Sequence, residues 1–439
     1  MFTLTLRKNF LIGLMLFALF LGAGNIIFPP SLGQMAGENL FIAMTGFLIT
    51  GVGLPLVAVL AIANAGGQSG LQIIAGRVHP IFGIVFTMII YMAIGPFFGI
   101  PRTATVSYEI GVVPFLSERA ASSDWPLALF TICFFLVTIA LALNPAKLVD
   151  RIGKVLTPVL FIIISALAIK SILTPIGTIG QAQGDYVTHP FFRSFVEGYL
   201  TMDVIAALVF GIVVVNALKA EGVTKKGPIM KGMMIAGLIA AAGLTFVYVS
   251  LSYIGATSVE VIGMQQNGGA ILSLASTVLY GSAGTSILAV TIIFACLTTS
   301  IGLVAACAQF FNEIFPSLSY KIYVLIFSIF SAVIANIGLT ELIAISLPVL
   351  MMIYPLAIVL MLMSFIDKAF GRKPIVYILA LSATAFVSIF DGLLVADIDV
   401  KPVTKLLAQL PLYKQQIGWL VPAIVGAFAG VIISFFQKK

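Results

Sequence analysis

The chain has 439 residues, of which 61% are hydrophobic and only 9% charged, and its formal net charge is +7. About a quarter of a soluble domain is charged, so this composition cannot cover itself with polar surface and excludes an ordinary soluble enzyme or binding module. The 23 Lys and Arg are scattered through short connections without a stripe of interleaved aromatics, which argues against a nucleic-acid partner.

A helix needs about 20 apolar residues to cross a bilayer. Taken in chain order, apolar runs of that kind fall at 10–33, 40–63, 81–110, 125–144, 153–173, 195–218, 230–255, 285–311, 320–337, 341–366, 374–395 and 416–436. They predict an all-α integral membrane protein with twelve transmembrane helices. The first run follows Arg7 and Lys8 but exceeds a signal-peptide core and is succeeded by many others, so it reads as a retained span. Its middle carries Gly22-Ala23-Gly24-Asn25 and its end Phe28-Pro29-Pro30. The third run has Tyr91 beside Gly95-Pro96, either a packed aromatic or a hydroxyl for a central site; Arg102 and Glu109, toward the outer end of the run, read as pairing or snorkelling in preference to solute contact.

The sixth run carries Tyr199-Leu200-Thr201-Met202-Asp203 ahead of an apolar half. Before the eighth, Ala270 to Leu279 is too short to span and reads as a re-entrant or surface helix on the outer face. The eighth contains Phe294-Ala295-Cys296-Leu297-Thr298-Thr299-Ser300. Glu341 suits first-turn capping of the tenth, which Pro348 and Pro355 should kink, and Asp391 lies near an outer end. Cys133, Cys296 and Cys307 all stand in apolar runs without a CxxC motif, and His79 and His189 frame no zinc site. No Ser/His/Asp set, Cys/His set or HExxH motif occurs, so no enzyme and no cofactor are expected.

Most Lys and Arg fall in the connections that share the side of the N-terminus, among them Arg7, Lys8, Arg77, Lys147, Arg151, Lys154, Lys225, Lys226, Arg372, Lys438 and Lys439. The positive-inside rule then puts both termini in the cytoplasm. The interrupted first and sixth runs lie five spans apart, and an odd number of spans per repeat inverts the second copy. This predicts a first repeat over 1–194, an inverted second repeat over 195–370 and two further helices in 371–439, the plan of transporters that bind solute and ions between discontinuous helices at the midplane. The competing reading is that the glycines serve close helix packing.

Chemistry concentrates at the interruptions. Glycine tolerates an unwound backbone, and unwinding would free carbonyls at Ala18 and Leu21 for a cation and amide groups, at the positive end of a half-helix, for a carboxylate; Asn25 adds a neutral oxygen. A carboxylate at the centre of a span costs about 2.5–3.5 kcal/mol on insertion scales. Asp203 therefore binds a solute ammonium, coordinates a cation or carries a proton, unless it only caps the helix break. In the eighth run Ala295 with Thr298 and Thr299 would aim one carbonyl and two hydroxyls at one point, hard oxygens suited to Na⁺.

The runs F-L-G-A-G-N-I-I-F-P-P and Y-L-T-M-D, with the order of spans, resemble the bacterial branched-chain amino acid:cation symporter family over essentially the whole chain. More distantly, G-A-G-N and F-A-C-L-T-T-S are similar to segments of the leucine-transporter (LeuT) fold. The resemblance implies sodium-driven uptake of leucine, isoleucine and valine across a bacterial inner membrane, with lipid as the surroundings and no obligate protein partner. It also implies a sodium site from Ala18, Leu21, Ala295, Thr298 and Thr299. Phe20, Ala23, Gly24 and the chain from Thr201 through Asp203 to Ile205 would hold the amino acid, with Asn25 near the carboxylate or a second ion and Tyr91 facing the pocket. Asp203 stands where the wider fold has a threonine, a departure that leaves the second ion open.

Overall fold

The computed structural model describes residues 5–65, 70–143 and 145–436, with side chains except those of Leu6 and 145–157. Lys147, Arg151, Lys154, Lys438 and Lys439 of the orientation argument lie outside the described side chains. Among the described residues every regular element is a helix. In order they are α1 (Leu6–Phe20), α2 (Ala23–Ala36), α3 (Leu40–Leu48), α4 (Leu54–Asn64), α5 (Gly70–Gly76), α6 (Pro80–Met92), α7 (Gly99–Gly111), α8 (Glu118–Ala121), α9 (Trp125–Ala142) and α10 (Pro145–Leu173). The second half comprises α11 (Pro190–Glu197), α12 (Asp203–Ala220), α13 (Lys226–Ala256), α14 (Val259–Ile262), α15 (Gly268–Ile314), α16 (Tyr320–Ala335), α17 (Leu339–Ile366), α18 (Pro374–Val395), α19 (Lys401–Leu407) and α20 (Leu420–Phe436).

Eight helical stretches among the described residues are long and apolar enough to cross a bilayer, and Pro158–Leu173, Tyr320–Ala335 and Leu420–Phe436 are shorter apolar helices. Large apolar side chains such as Phe41, Ile132, Leu136 and Phe428 face outward, as a lipid-facing wall requires. The predicted 10–33 run is two helices, α1 and α2, and the predicted 153–173 run starts earlier, at Pro145.

Local chemistry explains the irregularities. A wide, π-type turn at Ile49–Gly53 joins α3 to α4 just ahead of Pro55, whose missing N–H and ring disturb the regular ladder. Between α6 and α7, Gly95 leaves helical geometry (φ −88°, ψ −119°) immediately before Pro96, because a proline disfavours the α conformation in its predecessor. In α15, Gly281 takes φ +63° and bends the helix, separating a first arm capped by the Asn267 side chain at the Ala270 amide (3.0 Å). The short helix expected at 270–279 is this arm. Pro348 and Pro355 are accommodated within α17, which runs unbroken from Leu339 to Ile366.

The helix pairs that frame the interior cross closely. A Cβ on Gly33 of α2 would lie 2.0 Å from the Ser252 carbonyl of α13, and one on Gly255 would lie 2.1 Å from the Pro30 carbonyl. Small residues thus let α2 and α13 touch backbone to backbone. One end of the bundle gathers the start of α1 with the ends of α12, α4 and α17: Lys8 pairs with Glu221 (2.5 Å), Lys226 donates to the Asn64 carbonyl (2.7 Å), and both Arg77 and Arg372 pair with Asp367. At the opposite end Gln34 donates to Ser258 (2.8 Å), Thr178 donates to Glu260 (2.8 Å), and Asn39 donates to the Tyr186 carbonyl (2.9 Å).

Candidate functional site

Two helices lose their winding inside the bundle. After Phe20 the chain extends through Leu21 (φ −69°, ψ 76°) and Gly22 (φ −103°, ψ −173°) before α2 begins. The Gly22 amide, which a continuous helix would direct to the Ala18 carbonyl, instead donates to the Phe20 carbonyl (2.6 Å) and to Asn25 Oδ1 (3.1 Å). The second break follows α11: a tight 3-10 turn at Gly198–Thr201 ends on Met202 in the left-handed region (φ +62°), and α12 starts at Asp203. A non-glycine residue there is uncommon and costs about 1–3 kcal/mol, so the surrounding packing imposes the break.

The breaks meet. A Cβ on Gly24 would stand 3.3 Å from the Thr201 carbonyl and 3.4 Å from its Cα, so glycine here permits the approach of two backbones. Asn25 joins them through side chains: its Nδ2 donates to both carboxylate oxygens of Asp203 (2.9 and 2.8 Å) and to the Tyr248 hydroxyl, and Tyr248 donates to Asp203 Oδ2 at 2.5 Å. Asn25, Asp203 and Tyr248 are all buried, at 2%, 1% and 0% exposure. The start of α12 is completed by Thr201 Oγ1, which accepts from the Asp203 amide (3.3 Å), and by the Tyr354 hydroxyl, which accepts from the Val204 amide (3.3 Å).

A small cavity of about 50 Å³ lies at this junction, room for roughly three or four waters. Of the residues singled out from the sequence, Phe20, Ala23, Gly24, Asn25, Thr201, Asp203 and Thr299 line it; Leu19, Gly22, Arg102, Met202, Ala206, Phe210 and Leu303 line it as well. A larger solute enters only when side chains withdraw. Ile205 is fully buried in the body of α12 and is not part of the lining. Tyr91 also stands apart, stacked on Phe310 (4.0 Å between centroids, 6° between planes); the bend at Gly95-Pro96 separates its turn from the wall that α7 presents.

On α15, the Thr298 and Thr299 hydroxyls both donate to the Ala295 carbonyl (2.8 and 3.1 Å). These three oxygen-bearing groups therefore share one spot. The break between α1 and α2 packs against one of the three, since a Cβ on Gly22 would lie 3.6 Å from the Thr299 methyl. Ala18 and Leu21, the other two groups named for the cation, flank that break, Ala18 within the last turn of α1 and Leu21 directly after it.

Two participants escaped the sequence reading, and a third was assigned other contacts. Tyr248 and Tyr354 looked like any aromatic in a span, and nothing local marks their partners, which are 45 and 150 residues away. Arg102 is the correction: it neither snorkels nor pairs with Glu109. Its side chain is 2% exposed and donates to the Leu200 carbonyl (2.6 Å) and Ser346 Oγ (3.0 Å), with the guanidinium 5.1 Å from the centre of the Phe28 ring. Glu109 lies two turns on and accepts from Asn267 (3.3 Å) instead. The available signal was an arginine deep in a span with no acid within one turn, which by default marks a functional position.

Helices unwound at a shared interior cavity are the mark of a membrane transporter, and solved structures share this architecture. The fold matches that of Mhp1, a nucleobase-cation-symport-1 family transporter in a closed conformation with bromovinylhydantoin bound (TM-score 0.63, 12% identity, 96% of this chain and 91% of that one). It also matches MhsT in complex with L-phenylalanine (TM-score 0.58, 14% identity, 98% of each chain). The chain belongs to the family described as branched-chain amino acid transport protein, whose model matches residues 5–437. It is 51% identical over 438 residues to the branched-chain amino acid permease BraB of Bacillus subtilis (99% of this chain, 97% of the relative). It is also 45% identical to the branched-chain amino acid transport system 2 carrier protein of Pseudomonas aeruginosa (96% and 94%) and 39% identical to the permease BrnQ of Escherichia coli (97% and 95%). The expectation of a permease rather than an enzyme, and of the LeuT-type fold, stands on these relatives.

Proposed function

We propose that this chain takes leucine, isoleucine and valine into the bacterial cytoplasm in symport with Na⁺, by alternating access. The carrying observation is the meeting of the two helix breaks, Gly22 to Gly24 and Thr201 to Asp203, on one buried cavity beside Thr299. Unwound segments expose peptide dipoles where a zwitterion and a cation need partners in a medium without water. The Ala295 carbonyl and the Thr298 and Thr299 hydroxyls, with the carbonyls of Ala18 and Leu21, form the neutral oxygen set for Na⁺. Phe20, Ala23, Gly24, Thr201 and Ala206 form the wall for an apolar side chain.

The accompanying topology is twelve spans, with 1–194 as one five-span repeat and 195–370 as its inverted copy, followed by two spans in 371–439; both termini are cytoplasmic. The cluster of Lys8, Arg77, Lys226 and Arg372 at one end of the bundle supports that orientation. Each positive charge entering along a 100 mV inside-negative potential contributes about 2.3 kcal/mol, enough for roughly fifty-fold accumulation.

One observation favours a second reading, in which H⁺ is the coupling ion. Asp203 is a buried carboxylate held by a 2.5 Å bond from Tyr248, and a carboxylate in that position can carry a proton through the cycle. Labelled leucine uptake into proteoliposomes, with and without a Na⁺ gradient and across a pH range, separates the two. Sodium coupling predicts uptake that requires Na⁺ and is severely reduced in Thr298→Ala/Thr299→Ala. Sodium-independent uptake abolished by Asp203→Asn would transfer the coupling to H⁺, and sodium-dependent uptake indifferent to the double threonine change would remove the α15 site.

A further inference from the structure

We infer that Arg102 is the anchor for the carboxylate of the transported solute. The inference rests on the amino acid transport proposed above and assigns the group that reads the acid end of the cargo. Arg102 lines the cavity and is 2% exposed. Among the described residues it has no acidic partner: its contacts are the Leu200 carbonyl, Ser346 Oγ and the face of Phe28. A guanidinium carries five N–H donors in a planar fork. Two are engaged, and Nε is a buried donor without a partner. Leaving a buried charge unpaired is costly, and a cation with spare donors at a cavity is matched by an anion that the cavity admits.

The competing anchor, the freed backbone, is occupied at Gly22 and at the second break, which leaves the Ala23 and Gly24 amides at the start of α2 to share the carboxylate with Arg102. The Gly22 amide is taken by Phe20 and Asn25, the Met202 amide by the Tyr199 carbonyl (3.0 Å), and the Asp203 and Val204 amides by Thr201 and Tyr354. The bond from Arg102 to the Leu200 carbonyl places its charge at the carboxyl end of the short helical piece before the second break, where a cation is favoured. Arg102 and Asp203 thus give one cavity a positive and a negative wall. That field complements a zwitterion, and a planar fork suits a carboxylate better than it suits any neutral group.

The structural alternative is that Arg102 only ties α7 to the second break. Competition against labelled leucine uptake separates the two, using leucine, leucinamide (carboxylate replaced by a neutral amide) and 4-methylpentanoate (ammonium removed) on purified full-length protein in liposomes. In Arg102→Gln the half-inhibitory concentration of leucine should rise by about 10- to 100-fold, the range of a lost hydrogen bond to a charged group. That of leucinamide should move by less than about 2-fold, so discrimination between the two collapses. Arg102→Lys should recover part of it.

Ser346→Ala, which removes one steering contact and leaves the charge in place, is the variant to use if Arg102→Gln does not fold. It should shift leucine and 4-methylpentanoate together and spare leucinamide. Equal losses for leucine and leucinamide in these variants, or an unchanged preference for leucine, would overturn the assignment. Wild-type protein that takes up no leucine would instead overturn the transport reading beneath it.

Discussion

Tyr248→Phe deletes one oxygen from the network that joins the two breaks and leaves the ring in place against Phe47, with which it makes an edge contact at 5.2 Å. No cavity larger than a hydroxyl forms, so the loss is electrostatic. Asp203 then keeps one donor group, Asn25 Nδ2 at 2.9 and 2.8 Å, for both its oxygens, having lost the shorter bond of 2.5 Å. A hydrogen bond to a buried charged group contributes about 1.5–3 kcal/mol. The variant should therefore melt below the wild type in detergent and bind leucine roughly 10- to 100-fold more weakly. Asp203→Asn should cost a similar amount, because it removes the charge that strengthens these bonds and its one remaining acceptor oxygen leaves an NH2 opposite a donor at the other position. Since both changes remove the same bond, the double variant should fall short of the sum by at least about 1 kcal/mol. A Tyr248→Phe protein with wild-type melting and affinity, or strictly additive losses, would refute a network centred on the carboxylate.

Gly24→Ala puts a methyl 3.3 Å from the Thr201 carbonyl, so the breaks must part by a few tenths of an ångström; uptake should fall several-fold in a transport assay while expression and melting change little. Gly33→Ala places its methyl 2.0 Å from the Ser252 carbonyl, which neither backbone can yield, and should destabilise by at least about 1–3 kcal/mol, visible as poor yield and early melting. Glu260 accepts from the Thr178 amide and hydroxyl (2.8 Å each), and these bonds hold its carboxyl below its ordinary value. A group lowered on folding contributes above its unfolded value and loses that contribution as pH falls through the folded one, so Glu260→Gln should lower melting at pH 7, and the deficit should shrink as the pH is taken down.

The two breaks were legible because glycine pairs and an intramembrane aspartate are departures from what a plain span requires. Asn25 was legible as a polar residue, whereas its role as the bridge was not. The bond it makes to Asp203 spans 178 residues, and no local pattern encodes that distance. The α15 trio was readable from helical spacing alone, since residues three and four apart share a face. Tyr91 illustrates the converse. Its position beside Gly95-Pro96 marked an irregularity correctly, but the direction of the ring depends on the bend itself, and there the ring stacks on Phe310. Arg102 was misassigned because a one-dimensional reading offers Glu109 as a partner, while two turns of helix hold them about 10 Å apart along one face, where Arg102 reaches the Leu200 carbonyl and Glu109 reaches Asn267.

The position of the break in the first span relative to the network bears on how a cycle can run. Asn25, Asp203 and Tyr248 lie on α2, α12 and α13, beyond the extended pair Leu21-Gly22, so α1 can swing at that joint without separating any of the three. What holds the far end of α1 includes the Lys8–Glu221 pair, whose side chains are 51% and 40% exposed; a surface ion pair of this kind contributes about 0–1 kcal/mol. The interior bonds around Asp203 contribute several times more. The stronger hold on α1 is its packing along α13, which buries Leu16 and Phe17, so in the proposed alternating-access cycle a swing of α1 must open that packing while the bonds around Asp203 stay in register. In that proposed cycle the joint at Leu21-Gly22 would let the site stay assembled while access to it changes, which a continuous helix carrying the same residues would not permit.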